Sequence, residues 1–176
     1  QSYNQTSKCK RCICPNAYDT SITLEKRKFI SLAKNNEFRS PIYQRNLLQR
    51  LGRKRCVLCG CEIPEIIQGA HIWGVAEIAR DNHFNDDRKF DHAISGENGL
   101  WLCQNHHKLF DAYYLAFDME GHVLMPGNLR TEYGQFIRAI THNEYLDNLI
   151  MTDNFKWYLS QRNSVRDYSC YQRLFI

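Results

Sequence analysis

Apolar residues along the 176-residue chain recur at helical spacing early, cluster as strands in the middle, and return to helical spacing late. Ile22, Phe29, Ile30 and Ala33 share one stripe, with Lys26, Arg27 and Lys34 elsewhere, which predicts a helix over residues 21–38. Ser40 followed by Pro41 opens a second helix; Leu47, Leu48 and Leu51 recur at helical spacing before Gly52 ends it. Residues 66–73, IIQGAHIW, have strand character interrupted by Gly69 and deliver His71 near their end. Residues 74–97 are charged, with apolar periodicity only over 75–79. They predict a short helix and then an excursion loop, and structureless loops of that length are commonly functional. Residues 100–103 read as a buried strand, 104–112 as a helix, and 113–118 with 122–125 as two strands around a Glu120-Gly121 turn. After Pro126-Gly127 the spacing predicts helices over 129–141, 145–150 and 155–161. The first twenty residues read as a polar loop or knuckle, and the aromatic-rich 168–176 match no template.

Composition narrows the class. With 43% apolar and 24% charged residues the chain is globular, long enough for one good core or for a small domain with helical attachments. No apolar run approaches a membrane span and no signal peptide opens the chain, so no membrane partner is expected. The chain begins with Gln rather than Met, as would a fragment, a processed form or the ordered part of something longer. The net charge of +4 is unevenly spread. Residues 26–55 hold ten Lys or Arg and one acid, Glu37, whereas residues 56–120 hold eleven acids and four basic residues. A basic segment feeding an acidic one suits a protein that holds a polyanion with one part and cations with the other. Lys26, Arg27, Lys34, Arg45, Arg50, Arg53, Lys54 and Arg55 are the candidate phosphate contacts; a solvated helix face is the plainer alternative.

Cysteine and histidine spacing adds the chemistry. Cys56-x-x-Cys59 and Cys103-x-x-His106 are two halves of a closed tetrahedral zinc site, with reduced core thiols as the alternative. Cys61 is a substitute ligand or a bystander. Cys9, Cys12 and Cys14 would form a second zinc site with Cys170 if the termini pack together. Zinc-held thiols point to a reducing, cytoplasmic compartment rather than to disulfides. His107 and Asp111 lie one helical turn apart and can chelate a divalent cation such as Mg²⁺, Mn²⁺, Ni²⁺ or catalytic Zn²⁺. His71 can act as a base near neutral pH, and Asn98 can orient it or shape the loop that does. Singly, each has a structural reading: a hydrogen-bonded strand histidine, a turn asparagine, a surface acid.

The order Cys-x-x-Cys, then AHI, then ENGLWLCQNHHKLFD resembles the HNH nucleases of the ββα-metal type. It is similar to the branch found in bacterial restriction endonucleases, where an AHI or SHI strand and an NGL…H…FD segment recur. The likeness reaches back into QRNLLQRLGRKRC and forward into LAFDMEGHVL, covering about residues 43–125, under half of the chain. It implies an α+β fold with a zinc-stapled ββα-metal core and flanking helices. Residues 1–53 would be a cysteine cluster and basic helices, 54–125 the nuclease core, and 126–176 a helical extension. It assigns His71 as general base, Asn98 as the middle asparagine and His107 as the ligand of a catalytic Mg²⁺ or Mn²⁺. Asp111 stands where colicin-type members have a further ligand. One departure is Ala70, where many members carry an Asp or His ligand; Asp111 compensates, or another acid such as Asp91 enters from the excursion, or the metal site is weak. The adjacent histidines also permit a swap between the zinc and the cation. The expected function is a divalent-metal-dependent endonuclease of double-stranded DNA, of restriction type, leaving 5′-phosphate and 3′-hydroxyl ends and working as a homodimer if it cuts both strands. The alternatives are a degenerate DNA-binding module and a nuclease of RNA or structured DNA.

Overall fold

A computed structural model describes residues 17–35, 38 and 40–175. Helix α1 (Ala17–Leu32) runs into a 3-10 turn (Ala33–Asn35) and buries Phe29 and Ala33. Ile30, placed on the same stripe from sequence, is half exposed, because consecutive helical residues point about 100° apart. Helix α2 (Pro41–Leu51) begins and ends at the expected punctuation. The Ser40 hydroxyl accepts from the Tyr43 amide at 3.4 Å, Pro41 occupies the first turn, and Gly52 closes the helix.

After a cysteine knuckle, strand β1 (Ile67–His71) leads into helix α3 (Val75–Arg80). The excursion loop expected next is instead a helix, α4 (Asp86–Ile94). Its apolar content is too sparse to show a period. The cap carries the signal: the Asn85 side chain accepts from the Arg88 amide at 2.9 Å, and Asp86 and Asp87 favour the positive end of the helix dipole. Phe90 then packs on Phe29 and Phe38, with ring centroids 6.0 and 6.5 Å away. A 3-10 turn (Gly96–Asn98) delivers strand β2 (Gly99–Cys103), followed at once by helix α5 (Gln104–Asp111). β1 and β2 pair antiparallel from Ile67 opposite Cys103 to His71 opposite Gly99. Gly99 is required there, because a Cβ would collide with the hydroxyl of Tyr43.

The expected hairpin is β3 (Ala116–Phe117) and β4 (Val123–Pro126). Helices α6 (Thr131–Ile140) and α7 (Asp153–Ser164) follow. Residues 145–150 do not form the expected helix. Tyr145 bridges His122, and the Asp147 carboxylate accepts from the Leu149 amide at 2.8 Å, a local bond that competes with helix. The aromatic tail supplies β5 (Tyr171–Arg173), which pairs antiparallel with β4 and completes a three-stranded sheet. Among the described residues no helix is long and apolar enough to cross a membrane.

Arg50 joins these layers. Its guanidinium pairs with Glu97 at 2.8 Å and donates to the carbonyl of Ile150 at 2.6 Å and, more weakly, to those of Gly96 and Gly99. Thr152, the cap of α7, donates to the same Glu97 carboxylate at 2.7 Å. Removing Arg50 leaves the Glu97 carboxylate without its cation in a half-buried site. Arg50→Met is therefore expected to cost about 3 kcal/mol in urea unfolding; a loss below about 0.5 kcal/mol, the range of ordinary surface substitutions, would contradict this role.

Candidate active site and metal centre

The knuckle is built by backbone hydrogen bonds. The Cys56 amide donates to the Cys61 carbonyl at 2.9 Å and the Gly60 amide to the Cys56 carbonyl at 2.8 Å. Gly60 takes φ 72°, a left-handed conformation that a side chain would strain. This turn presents Cys56 and Cys59 to Cys103, the last residue of β2, and His106, in the first turn of α5. The Cys59 and Cys103 sulfurs lie 3.9 Å apart, and His106 Nδ1 lies 3.4 Å from Cys56 Sγ and 3.2 Å from Cys103 Sγ. A tetrahedron with metal–sulfur bonds of about 2.3 Å has edges of about 3.8 Å. The donor set and its spacing therefore fit a four-coordinate metal such as zinc.

The surroundings support the fit. The Thr141 hydroxyl faces His106 Nε2 at 3.1 Å, so a proton on Nε2 leaves Nδ1 to the metal. Burial, then the neighbouring Cys56 and Cys103 sulfurs, pushes the Cys59 thiol up to about 12. The segment after α6 clasps the knuckle, with the His142 and Asn143 amides on the Leu58 carbonyl at 2.8 and 3.0 Å. Cys61 stays outside the cluster. Cys170 is exposed, while Cys9, Cys12 and Cys14 lie outside the described residues. A second group of donors, Asp118, Glu120 and His122, is a hairpin lock: Asp118 already accepts from the Glu120 and His122 amides and from the His122 ring.

A cleft of about 1050 Å³ lies beside the cluster, lined by His71, His107 and Asp111 together with Arg45, Lys54 and Lys108. His71 Nε2 lies 2.9 Å from the Ala93 carbonyl oxygen, which can only accept. The proton of neutral His71 is thus held on Nε2 and its lone pair on Nδ1. The ring stacks on Tyr43 at 3.8 Å. Tyr43 is buried, its hydroxyl meets no hydrogen-bond partner among the described residues, and burial keeps the phenol protonated far above its ordinary range. Asn98 acts on the backbone. Its amide accepts from the Trp73 N–H at 2.8 Å and donates to the Trp73 and His92 carbonyls at 3.0 and 3.2 Å, tying the exit of β1 to α4.

His107, not His106, faces the cleft. Its Nδ1 lies 3.0 Å from the Gln68 side-chain oxygen, which turns Nε2 toward Asp111 Oδ2 at 3.5 Å. Neighbouring ligands of one cation stand roughly 3.0–3.4 Å apart at metal–ligand distances of about 2.1 Å. At 3.5 Å the pair lies just beyond that spacing, and a small approach of the Asp111 carboxylate would let both hold one divalent ion. Ala70 is fully buried and contributes no donor. Asp91, the alternative acid, is exposed on α4 and is not among the cleft residues.

Residues 56–118 match the model of a family described as HNH endonuclease. That segment is similar to an HNH domain. Comparison with curated proteins finds no match. The matched segment spans the knuckle, both strands of the ββ pair, α5 and β3, so it contains the cluster and the His71, His107 and Asp111 side chains. It contains none of the basic residues singled out by charge, which the structure scatters. Arg45 and Lys54 line the cleft, and Lys54 also lies 5.7 Å from the Trp101 ring centroid. Lys26 pairs with Asp87; Arg53 and Arg55 both approach Glu62, at 2.9 and 3.5 Å. Arg27 and Lys34 are exposed, and Arg50 is spent inside the fold. Charge counting missed Lys108, and no short-range spacing pointed to Tyr43, Gln68 or Thr141, whose partners are 28 to 39 residues away for the two bonded pairs and the stack.

Replacing Cys103 with Ser is expected to remove one equivalent of bound metal relative to the wild type by elemental analysis. The unfolding temperature should fall by about 10 °C or more. Unchanged metal content would show that the cluster is a set of core thiols.

Proposed function

We propose that the chain is a divalent-metal-dependent endonuclease of double-stranded DNA, of restriction type, with structural zinc in the cysteine–histidine cluster and Mg²⁺ or Mn²⁺ at His107 and Asp111. The observation that carries the reading is the pairing of two opposite proton arrangements in one cleft: His71 presents a lone pair on Nδ1, and His107 presents one on Nε2 beside a carboxylate. The HNH match over residues 56–118 supports the same chemistry.

In this mechanism Arg45, Lys54 and Lys108 hold backbone phosphates along the cleft. His71 Nδ1 takes a proton from water as its oxygen attacks phosphorus, and Ala93 stabilises the resulting imidazolium by accepting from Nε2–H. Asn98 keeps the strand exit and α4 in register, and so keeps that carbonyl in place. A divalent cation, when bound by His107 and Asp111, supplies positive charge to the phosphate oxygens and the departing 3′ oxygen. The 3′ oxygen takes a proton from solvent, leaving 3′-hydroxyl and 5′-phosphate ends. One site per chain cuts one strand, so a double-strand break calls for two chains. The thiol-rich cluster suits a reducing, cytoplasmic compartment.

Supercoiled plasmid incubated with Mg²⁺ or Mn²⁺ is expected to be nicked and then linearised. His71→Ala should slow cleavage by about 10²–10⁴-fold, and Asp111→Ala should abolish it while leaving the zinc in place. Plasmid left intact by wild type across Mg²⁺, Mn²⁺, Ni²⁺ and Zn²⁺ would favour a DNA-binding module without activity. Discrete bands on defined duplexes support restriction-type cleavage; smears or loss of RNA would overturn that part.

A further inference from the structure

Arg162 of α7 lies far outside the HNH match, yet it lines the same cleft. Its side chain is buried, with 5% of the residue exposed. One amino group donates to the Phe110 carbonyl at 2.5 Å and the other to the Ile72 carbonyl at 3.4 Å. The guanidinium carbon sits 3.7 Å from the Phe110 ring centroid and 4.4 Å from that of Tyr113. Its Nε meets no hydrogen-bond partner, and among the described residues no carboxylate pairs with it. Burying a cation without a counter-charge is costly. Here the cost is offset by two ring faces and two carbonyls, one of them at the negative end of α5.

The two carbonyls are the informative part. Ile72 directly follows His71, and Phe110 directly precedes Asp111. We propose that Arg162 is a positioning residue of the nuclease site: by bridging the Ile72 and Phe110 carbonyls it sets the separation between the base on β1 and the cation ligands on α5. A planar fork can span both carbonyls; a lysine ammonium on a similar stem cannot match it. The C-terminal helix is then a working part of the site rather than an attachment. This inference rests on the nuclease reading.

The test uses the full chain with zinc bound, as Arg162→Lys and Arg162→Met. Steady-state cleavage of a duplex is measured beside Mn²⁺ binding followed by electron paramagnetic resonance and thermal unfolding. Both variants are expected to lose about 10–100-fold in kcat, to change KM by less than about threefold, and to bind Mn²⁺ about tenfold more weakly. Folded, zinc-loaded variants with wild-type kcat and Mn²⁺ affinity would overturn the proposal, as would full activity of Arg162→Lys, since charge alone would then suffice. If Arg162→Met does not fold, Arg162→Lys decides; failure of both to fold would make Arg162 purely structural and overturn the proposal. If wild type cuts nothing but Mn²⁺ binding still weakens in both variants, the nuclease reading fails and the positioning role stands.

Discussion

Adjacent residues on an α-helix point about 100° apart, and that angle sends His106 and His107 into different surroundings. His106 turns inward to three cysteines, and His107 turns outward to the cleft. The inward contact is the constraint on which the rest depends. Cys103 ends β2 and His106 lies in the first turn of α5, so a metal held by the cluster would fix the angle at which the helix leaves the strand. Through Cys56 and Cys59 it would also fix the knuckle that feeds β1. The rotation of α5 about its axis then determines where His107 and Asp111 face.

The outward half is held by neutral partners. The Ala93 carbonyl holds the His71 proton on Nε2, and the Gln68 amide oxygen holds the His107 proton on Nδ1. Neither the Ala93 carbonyl nor the Gln68 amide oxygen changes charge with pH. Tyr43 adds a rigid wall under His71, and the missing side chain of Gly99 makes room for its hydroxyl. Asn98 works one step away, holding the backbone at Trp73 against α4, the helix that carries Ala93.

Much of the core was legible because its signals are short-range. C-x-x-C, C-x-x-H and the one-turn spacing of His107 and Asp111 are local patterns, and the structure brings each set together. The caps of α2 were equally readable, since Ser40, Pro41 and Gly52 act on their own neighbours. Other features depended on partners distant in sequence. Helix α4 has few apolar residues and is held by a cap and by aromatic packing on α1. Strand β5 is three residues long and exists because β4 offers an edge. Arg50 looked like one more cation in a basic run, but Glu97 and the Ile150 carbonyl draw it inside. Arg162 had no local signature at all; its partners are 90 and 52 residues away.

The division of labour between the adjacent histidines is tested most directly by anomalous X-ray diffraction from crystals grown with Mn²⁺, measured at the zinc and manganese absorption edges. The account predicts a zinc peak enclosed by Cys56, Cys59, Cys103 and His106 and a separate manganese peak between His107 Nε2 and Asp111 Oδ2 in the cleft. A single metal shared by both histidines, or manganese bound away from His107 and Asp111, would contradict it.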